Sequence, residues 1–127
     1  MVEKICLDTD ACIFILKNDK KALELKPIIE NSEVFVSTVT VFELLLRKTN
    51  LNIAEDFIKN FFQLPFDSMI ARKASELYKE LSANGEIIDM RDLFIASTCL
   101  VHNLPLLTFN IKHFEKIKNL NLVKIAS

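Results

Sequence analysis

The sequence predicts an α/β fold of three layers, with helices on both faces of a mostly parallel, short-stranded sheet. Two observations carry this. Apolar residues recur at helical spacing over long stretches, and these alternate with short β-branched or aromatic runs. Gly85 is the only glycine in 127 residues, half of which are hydrophobic. That is too little turn chemistry for an all-β sandwich and too much apolar content for a disordered or low-complexity chain. The length suits one domain with a real core, and no linker or repeat divides it, so residues 1–127 are read as a single unit.

Taken in order, Lys4 to Leu7 (KICL) reads as a buried strand that ends at Asp8. Ala11 to Lys17 reads as a short helix, and Lys20 to Asn31 as a second, interrupted by Pro27. Val34 to Ser37 (VFVS) is β-branched and aromatic, a second strand. A helix over Thr40 to Thr49 follows. Asn52 to Glu55 has capping-box spacing and is expected to open a helix reaching Phe62. Leu64 to Phe66 is a short extended piece, with Pro65 marking a sheet edge. Ile70, Ala74, Leu77 and Leu81 give an amphipathic helix over Ser68 to Ala83, stopped by Asn84-Gly85. Another helix runs from Met90 to His102 and ends at Asn103. Leu106 to Thr108 and Leu122 to Ile125 are the last strands. In such sheets ligands bind beyond the carboxyl ends of the strands, so chemistry is sought there.

Charge and cysteine usage narrow the function classes. Net charge is −1, so no global basic field advertises nucleic-acid binding. The small basic groups, Lys17/Lys20/Lys21, Arg47/Lys48, Arg72/Lys73 and Lys112/His113/Lys116/Lys118, read as solvated helix faces. Cys6, Cys12 and Cys99 lack metal-ligand spacing and cannot pair completely, so they read as small core residues of a reducing compartment. His102 and His113 have no partner at ligand spacing. Glu3, Lys4 and Asp8 leave no room for a signal-peptide core, and the longest apolar run, Ala11 to Leu16, is too short to span a bilayer. A cytoplasmic protein with no membrane partner is expected.

The acids are more informative. In LDTD, Asp8 follows the first strand directly, and Asp10 precedes an apolar helical run. Asp10 is read as the helix N-cap and Asp8 as functional. Glu43 lies in the apolar run VTVFELLL and has two readings. It completes a capping box with Thr40, or it reaches a cleft through a gap in the packing, since a stranded core carboxylate costs several kcal/mol. Asp89 is a natural cap for the helix that carries Asp92. Asp92 shares a face with Ile95, Ala96 and Cys99 and so points toward the sheet. Thr108 and Asn110 (LLTFN) offer further oxygen atoms just past a strand. Three acids near one sheet edge would repel unless a hard cation neutralised them, and carboxylate oxygens suit Mg²⁺ or Mn²⁺.

The segments ICLDTDACIFIL, VFVSTVTVFELLLRK and IIDMRDLFIASTCLVHNLPLLTFNIKHFEKI resemble, in order and spacing, the PIN-domain ribonucleases. They look closest to the VapC-type toxins of prokaryotic toxin–antitoxin pairs. The resemblance covers Lys4 to Val123. It implies catalytic, metal-holding roles for Asp8, Glu43 and Asp92, with Thr108 and Asn110 at the family's position after the fourth strand. Asparagine stands at 110 where the family often has aspartate, and Asp10 stands where asparagine is commoner, so Asp10 or Asp89 would supply the missing charge. The implied reaction is Mg²⁺- or Mn²⁺-dependent hydrolysis of RNA phosphodiesters, leaving 5′-phosphate and 3′-hydroxyl ends. Arg91, Lys112 and His113 are the cations best placed for substrate. The family further implies a homodimer held inactive by a small antitoxin.

Other readings fit parts of the pattern. DTDAC matches the Asp-x-Asp of haloacid-dehalogenase-like phosphatases, with Asp8 as nucleophile, but Cys12 departs from that motif and Glu43 has no task there. A receiver domain wants an aspartate ending a central strand, which VFVST lacks. A housekeeping RNA-processing nuclease and a degenerate, non-catalytic interaction module keep the same acids but differ in partner or in activity.

Overall fold

A computed structural model of the protein describes residues 2–123 and 125. The chain begins with β1 (Glu3–Leu7), α1 (Thr9–Leu16), α2 (Lys20–Glu30), β2 (Ser32–Ser37), α3 (Thr38–Leu44) and α4 (Leu51–Ile58). It continues with β3 (Phe62–Leu64), α5 (Ser68–Ala83), α6 (Met90–His102), β4 (Leu106–Leu107), α7 (Ile111–Phe114) and β5 (Leu122–Val123). The five strands form one sheet in the order β3-β2-β1-β4-β5, every neighbouring pair parallel. Parallel strands need crossovers, and the helices that make them cover both faces.

Strand alternation sorts the core into two layers. Cys6 stands in register with Phe35 and Leu106, and this face packs on Ala74, Leu77 and Leu81 of α5 and on Leu93, Ala96 and Cys99 of α6. Ile5 and Leu7, with Val34, Val36 and Leu107, face the other way, onto Ala11 and Cys12 of α1, Leu25 of α2, Leu44 of α3 and Ile58 of α4. The three-layer α/β/α fold expected from periodicity is therefore the one found. All three cysteines are buried free thiols.

The topology fixes where a ligand can enter. From β1 the chain steps outward to β2 and then β3, and it returns across β1 to reach β4 and β5. Connections thus leave the central strand in opposite directions, opening a crevice beyond the carboxyl ends of β1 and β4.

Several boundaries differ from those the sequence suggests. Helix α2 runs through Pro27, because the backbone carbonyl that loses its donor belongs to Leu23 on an exposed face. Helix α3 starts at Thr38, since Ser37 ends β2 and caps the helix with its hydroxyl, 3.0 Å from the Val39 N–H. It stops at Leu44 rather than Thr49. Helix α4 begins at Leu51 after a left-handed Asn50, so Asn52 lies inside the first turn instead of capping it, and the helix ends at Ile58. The short third strand is Phe62–Leu64, placed ahead of Pro65 because each residue of the ladder must pair with β2. Thr108 lies just past β4. Of the strand expected over 122–125, Leu122–Val123 is formed and residue 124 lies outside the described residues.

Candidate active site

Asp8 is the first residue beyond β1, and its backbone N–H still bonds the Leu107 carbonyl at 3.2 Å. Its extended backbone makes it the N-cap of α1, with Oδ1 accepting the Ala11 N–H at 2.9 Å. The capping role expected of Asp10 therefore belongs to Asp8. The cap must sit at the residue where strand becomes helix, and the helix starts at once. The other oxygen, Oδ2, accepts the buried hydroxyl of Thr108. Asp10, two residues later, is exposed, and its carboxylate accepts the side-chain amide of Asn110. The Asn110 backbone N–H in turn bonds Thr108 Oγ1 at 2.9 Å, which ties the two strand ends together.

Glu43 lies in the last turn of α3, and the capping box expected with Thr40 is not formed, because the cap is Ser37. Nor is this helix enclosed on all sides: Phe42 is 56% exposed and Leu46 57%. What holds Glu43 is tertiary. Its Oε1 accepts the Thr9 hydroxyl at 2.6 Å, and its Oε2 lies 3.1 Å from Arg91 Nη1. Thr9 shares its hydroxyl with that of fully buried Thr40 at 3.0 Å, so two threonines fix one glutamate oxygen. Sequence reasoning passed over Thr9. Its position between two aspartates was the available signal.

Helix α6 brings the third acid. Asp89 caps it, accepting the Arg91 backbone N–H at 2.9 Å and facing Arg91 Nε at 3.4 Å. Asp92, in the first turn, is half-buried, with Oδ2 3.2 Å from His113 Nδ1 of α7.

Asp8, Thr9, Asp10, Glu43, Asp89, Arg91, Asp92, Asn110 and His113 line one cavity of about 210 Å³ at the topological switch point. Every acid singled out in the sequence is in this set, together with Arg91 and His113, whereas Lys112 does not line it. Thr108 sits beneath, holding Asp8. A larger cavity of about 370 Å³, between α5 and the segment after α7, has mixed lining charge from Lys73, Glu80, Lys116 and Lys118 and no strand end at its floor.

The electrostatics follow from burial and crowding. Burial lifts the Asp8 carboxyl from 3.8 to about 6, with the charges of Asp10 and Asp92 adding to the shift and the Thr108 and Ala11 bonds opposing it. Burial also raises Asp92, helped by Asp89 and opposed by His113. Asp89 goes the other way. Desolvation, the largest single influence, pushes it up, but the backbone and guanidinium N–H groups of Arg91, its charge and the Asp92 backbone N–H together outweigh this and hold it below the usual range.

Carboxylate, hydroxyl and amide oxygens are the donor set a hard divalent cation takes, and a buried Asp8 with raised affinity for a proton is the site such a cation would relieve. The residues therefore fit Mg²⁺ or Mn²⁺ in chemistry. Among the described residues, no three acidic, histidine or cysteine side chains are already gathered as a cage. Glu43 and Asp92 are instead turned to Arg91 and His113.

Comparison with known proteins agrees with the geometry. The PIN domain family pattern matches residues 5–120. A ribonuclease VapC1 from Methanocaldococcus jannaschii is 32% identical over 122 residues, 94% of this chain and 85% of its own. A tRNA(fMet)-specific endonuclease VapC from Salmonella typhimurium is 28% identical over 126 residues, 94% of this chain and 96% of its own. In three dimensions, the DNA-bound VapBC complex from Salmonella typhimurium superposes with a TM-score of 0.83 at 25% identity, over 97% of this chain and 98% of that one. The VapBC2 complex from Rickettsia felis, bound to a promoter DNA fragment, gives 0.81 at 25% identity, over 97% and 99%. With the family pattern spanning all but the chain's ends, and the sheet order and the acid-lined switch point already in place, this chain belongs to the PIN domain family.

Proposed function

We propose that the chain, as a single nuclease domain over 1–127, is a divalent-metal-dependent endoribonuclease of the VapC type. One observation carries the reading: Asp8, Glu43 and Asp92, from three separate elements, line one cavity of a PIN-family fold. Asp8, Glu43 and Asp92 hold Mg²⁺ or Mn²⁺, and Asp10, Asp89, Thr108 and Asn110 support the edges. When bound, the ion would supply Lewis acidity, which makes hydroxide available as the nucleophile near neutral pH, and a positive charge against the phosphate oxygens.

The protein's own residues do the placing. Thr108 orients Asp8 through its hydroxyl, and Thr9 orients Glu43. Fixing ligands through such outer contacts is what keeps a reactive geometry within tolerance. Arg91, His113 and, beyond the cavity, Lys112 face the RNA backbone. The P–O bond to the 3′ oxygen breaks, leaving 3′-hydroxyl and 5′-phosphate ends.

The partner is a small antitoxin, as in the VapBC complexes that this fold resembles. Exposed Phe66, Met69, Tyr78 and Met90 on α5, α6 and the segment before them give a partner an apolar surface, beside a cavity of about 350 Å³. A homodimer in the cytoplasm completes the proposal. No helix among the described residues is long and apolar enough to cross a membrane.

The test is cleavage of a fluorescently quenched RNA with Mn²⁺, with EDTA, and by the Asp8→Asn, Glu43→Gln and Asp92→Asn variants. Metal-dependent cleavage lost in the variants supports the reading. Phosphatase activity through an aspartyl-phosphate on Asp8, or no cleavage of any RNA alongside intact antitoxin binding, overturns it.

A further inference from the structure

Arg91 stands where helix stability does not want a cation. It occupies the first turn of α6, where the macrodipole is positive and favours acids. Its guanidinium nevertheless spans two acids, with Nη1 3.1 Å from Glu43 Oε2 and Nε 3.4 Å from Asp89 Oδ1. Both Glu43 oxygens are thereby engaged, one by Thr9 and one by Arg91.

The two partners of Glu43 are unequal. Thr9 is buried and locked to Thr40 at 3.0 Å, and its bond to Glu43 is the shorter, at 2.6 Å. The Arg91 side chain is 54% exposed, and its second anchor, Asp89, lies at the rim with 51% exposure, while the Glu43 side chain is only 16% exposed. A cation that reaches Glu43 meets one of these partners at either oxygen, and only at Oε2 does it meet a positive charge. Arg91 is the partner free to leave, and it keeps Asp89 when it does.

We infer that Arg91 is a built-in counter-ion that competes with the divalent metal for Glu43 and so sets the metal affinity of the cleft. This rests on the metal centre proposed above. In the metal-free cleft the guanidinium neutralises Glu43 and keeps the crowded acids from repelling one another. A divalent ion held by Glu43 would compete with the guanidinium for its charge, and Asp89 would remain to Arg91 as a second partner. Arg91 is thus a positioning residue acting through Glu43.

Mn²⁺ binding to the full chain by isothermal titration calorimetry tests this, using the wild type, Arg91→Gln, Arg91→Lys and the same changes in a Glu43→Gln background. Melting curves by circular dichroism verify that each variant is folded. Arg91→Gln is expected to bind Mn²⁺ about tenfold more tightly, a coupling of ordinary size for paired groups, with Arg91→Lys between it and wild type. In the Glu43→Gln background the gain should shrink to less than about threefold, the residue of a general charge effect. A helix-positioning role alone would weaken binding or leave it unchanged. If wild type binds Mn²⁺ and Arg91→Gln binds no better, the counter-ion role falls and the centre stands. An equal gain with and without Glu43 also overturns it. If no form binds Mn²⁺, centre and counter-ion fall together.

Discussion

At the floor of the cleft Asp8 has hydrogen bonds but no cation, whereas at the rim Glu43 and Asp89 face Arg91, and Asp92 faces His113. The consequence is visible in the direction of the proton equilibria. Asp8 is lifted to about 6 by burial, while Asp89, bonded to Arg91, is held below the ordinary range. The floor is buried and electrostatically costly; the rim is more open and carries its own cation in Arg91. Functional sites commonly carry such local instability, because a ligand is meant to relieve it.

The largest expected effect comes from neutralising the floor. Asp8→Asn keeps the cap oxygen for Ala11 and a polar group for Thr108, but it removes the charge. RNA cleavage should fall by more than the roughly 10- to 100-fold that outer-shell partners cost in metal sites. Stability of the EDTA-treated protein at pH 8 should rise instead, measured as a higher urea midpoint. A variant that loses both activity and stability would mean the Asp8 charge is structural, and the contrast between floor and rim would break.

The pH dependence of the metal-free protein sharpens the same contrast. Asp8 ionises near 3.8 in the unfolded chain and near 6 in the folded one, so the folded state holds the extra proton between these values. Stability gained from this group is complete below about pH 4 and is lost as pH rises to about 6, by an amount on the order of 2–3 kcal/mol. Asp92, also raised, adds to the same slope. Asp89, lowered, acts oppositely: its contribution is present above the unfolded value and disappears as acid protonates it. Urea titrations at pH 4 to 8 in EDTA should show the downward slope in wild type and a much shallower one, the part left by Asp92, in Asp8→Asn. A slope undiminished by the substitution would place the cost elsewhere.

Much of this arrangement is legible in the sequence because strand ends are. KICLD and LPLLT each end an apolar run at a polar residue, and parallel order brings those two ends side by side. The helix carrying Asp92 is equally readable from Ile95, Ala96 and Cys99 on one face. Less readable is anything decided by a contact between distant residues. The cap moved from Thr40 to Ser37 because β2 runs straight into α3, and from Asp10 to Asp8 because no loop separates β1 from α1. The environment of Glu43 is set by Thr9, 34 positions away, and by Arg91. Local pattern offers a capping box as one of two readings and does not decide between them. The apolar run around Glu43 suggests a wholly buried helix, yet Phe42 and Leu46 face outward.

Thr9 offers a smaller effect that separates position from charge. Thr9→Val keeps the shape of a buried side chain but removes the hydroxyl that joins Glu43 to Thr40. Activity at saturating Mn²⁺ should fall about tenfold, the lower range for an outer-shell contact. Stability should fall by roughly 1 kcal/mol, the net worth of a partly buried hydrogen bond. Thr9→Ser should restore most of both. If Thr9→Val is silent, Glu43 is held by Arg91 alone, and the glutamate belongs wholly to the adjustable rim.

The smallest effect is expected at Lys112, which neighbours His113 in sequence but stands on the exposed side of α7, outside the cavity lining. A lysine there can meet a phosphate of bound RNA only at a distance from the reacting one. Such a contact contributes through counterion release rather than through the chemistry. Lys112→Ala should therefore leave cleavage at saturating RNA unchanged and weaken RNA binding about twofold, with the salt slope reduced by at most about one ion. Fluorescence anisotropy across a salt series with a non-cleavable RNA in EDTA measures both. A loss of tenfold or more would extend the RNA track across α7, and the rim would then reach well past His113.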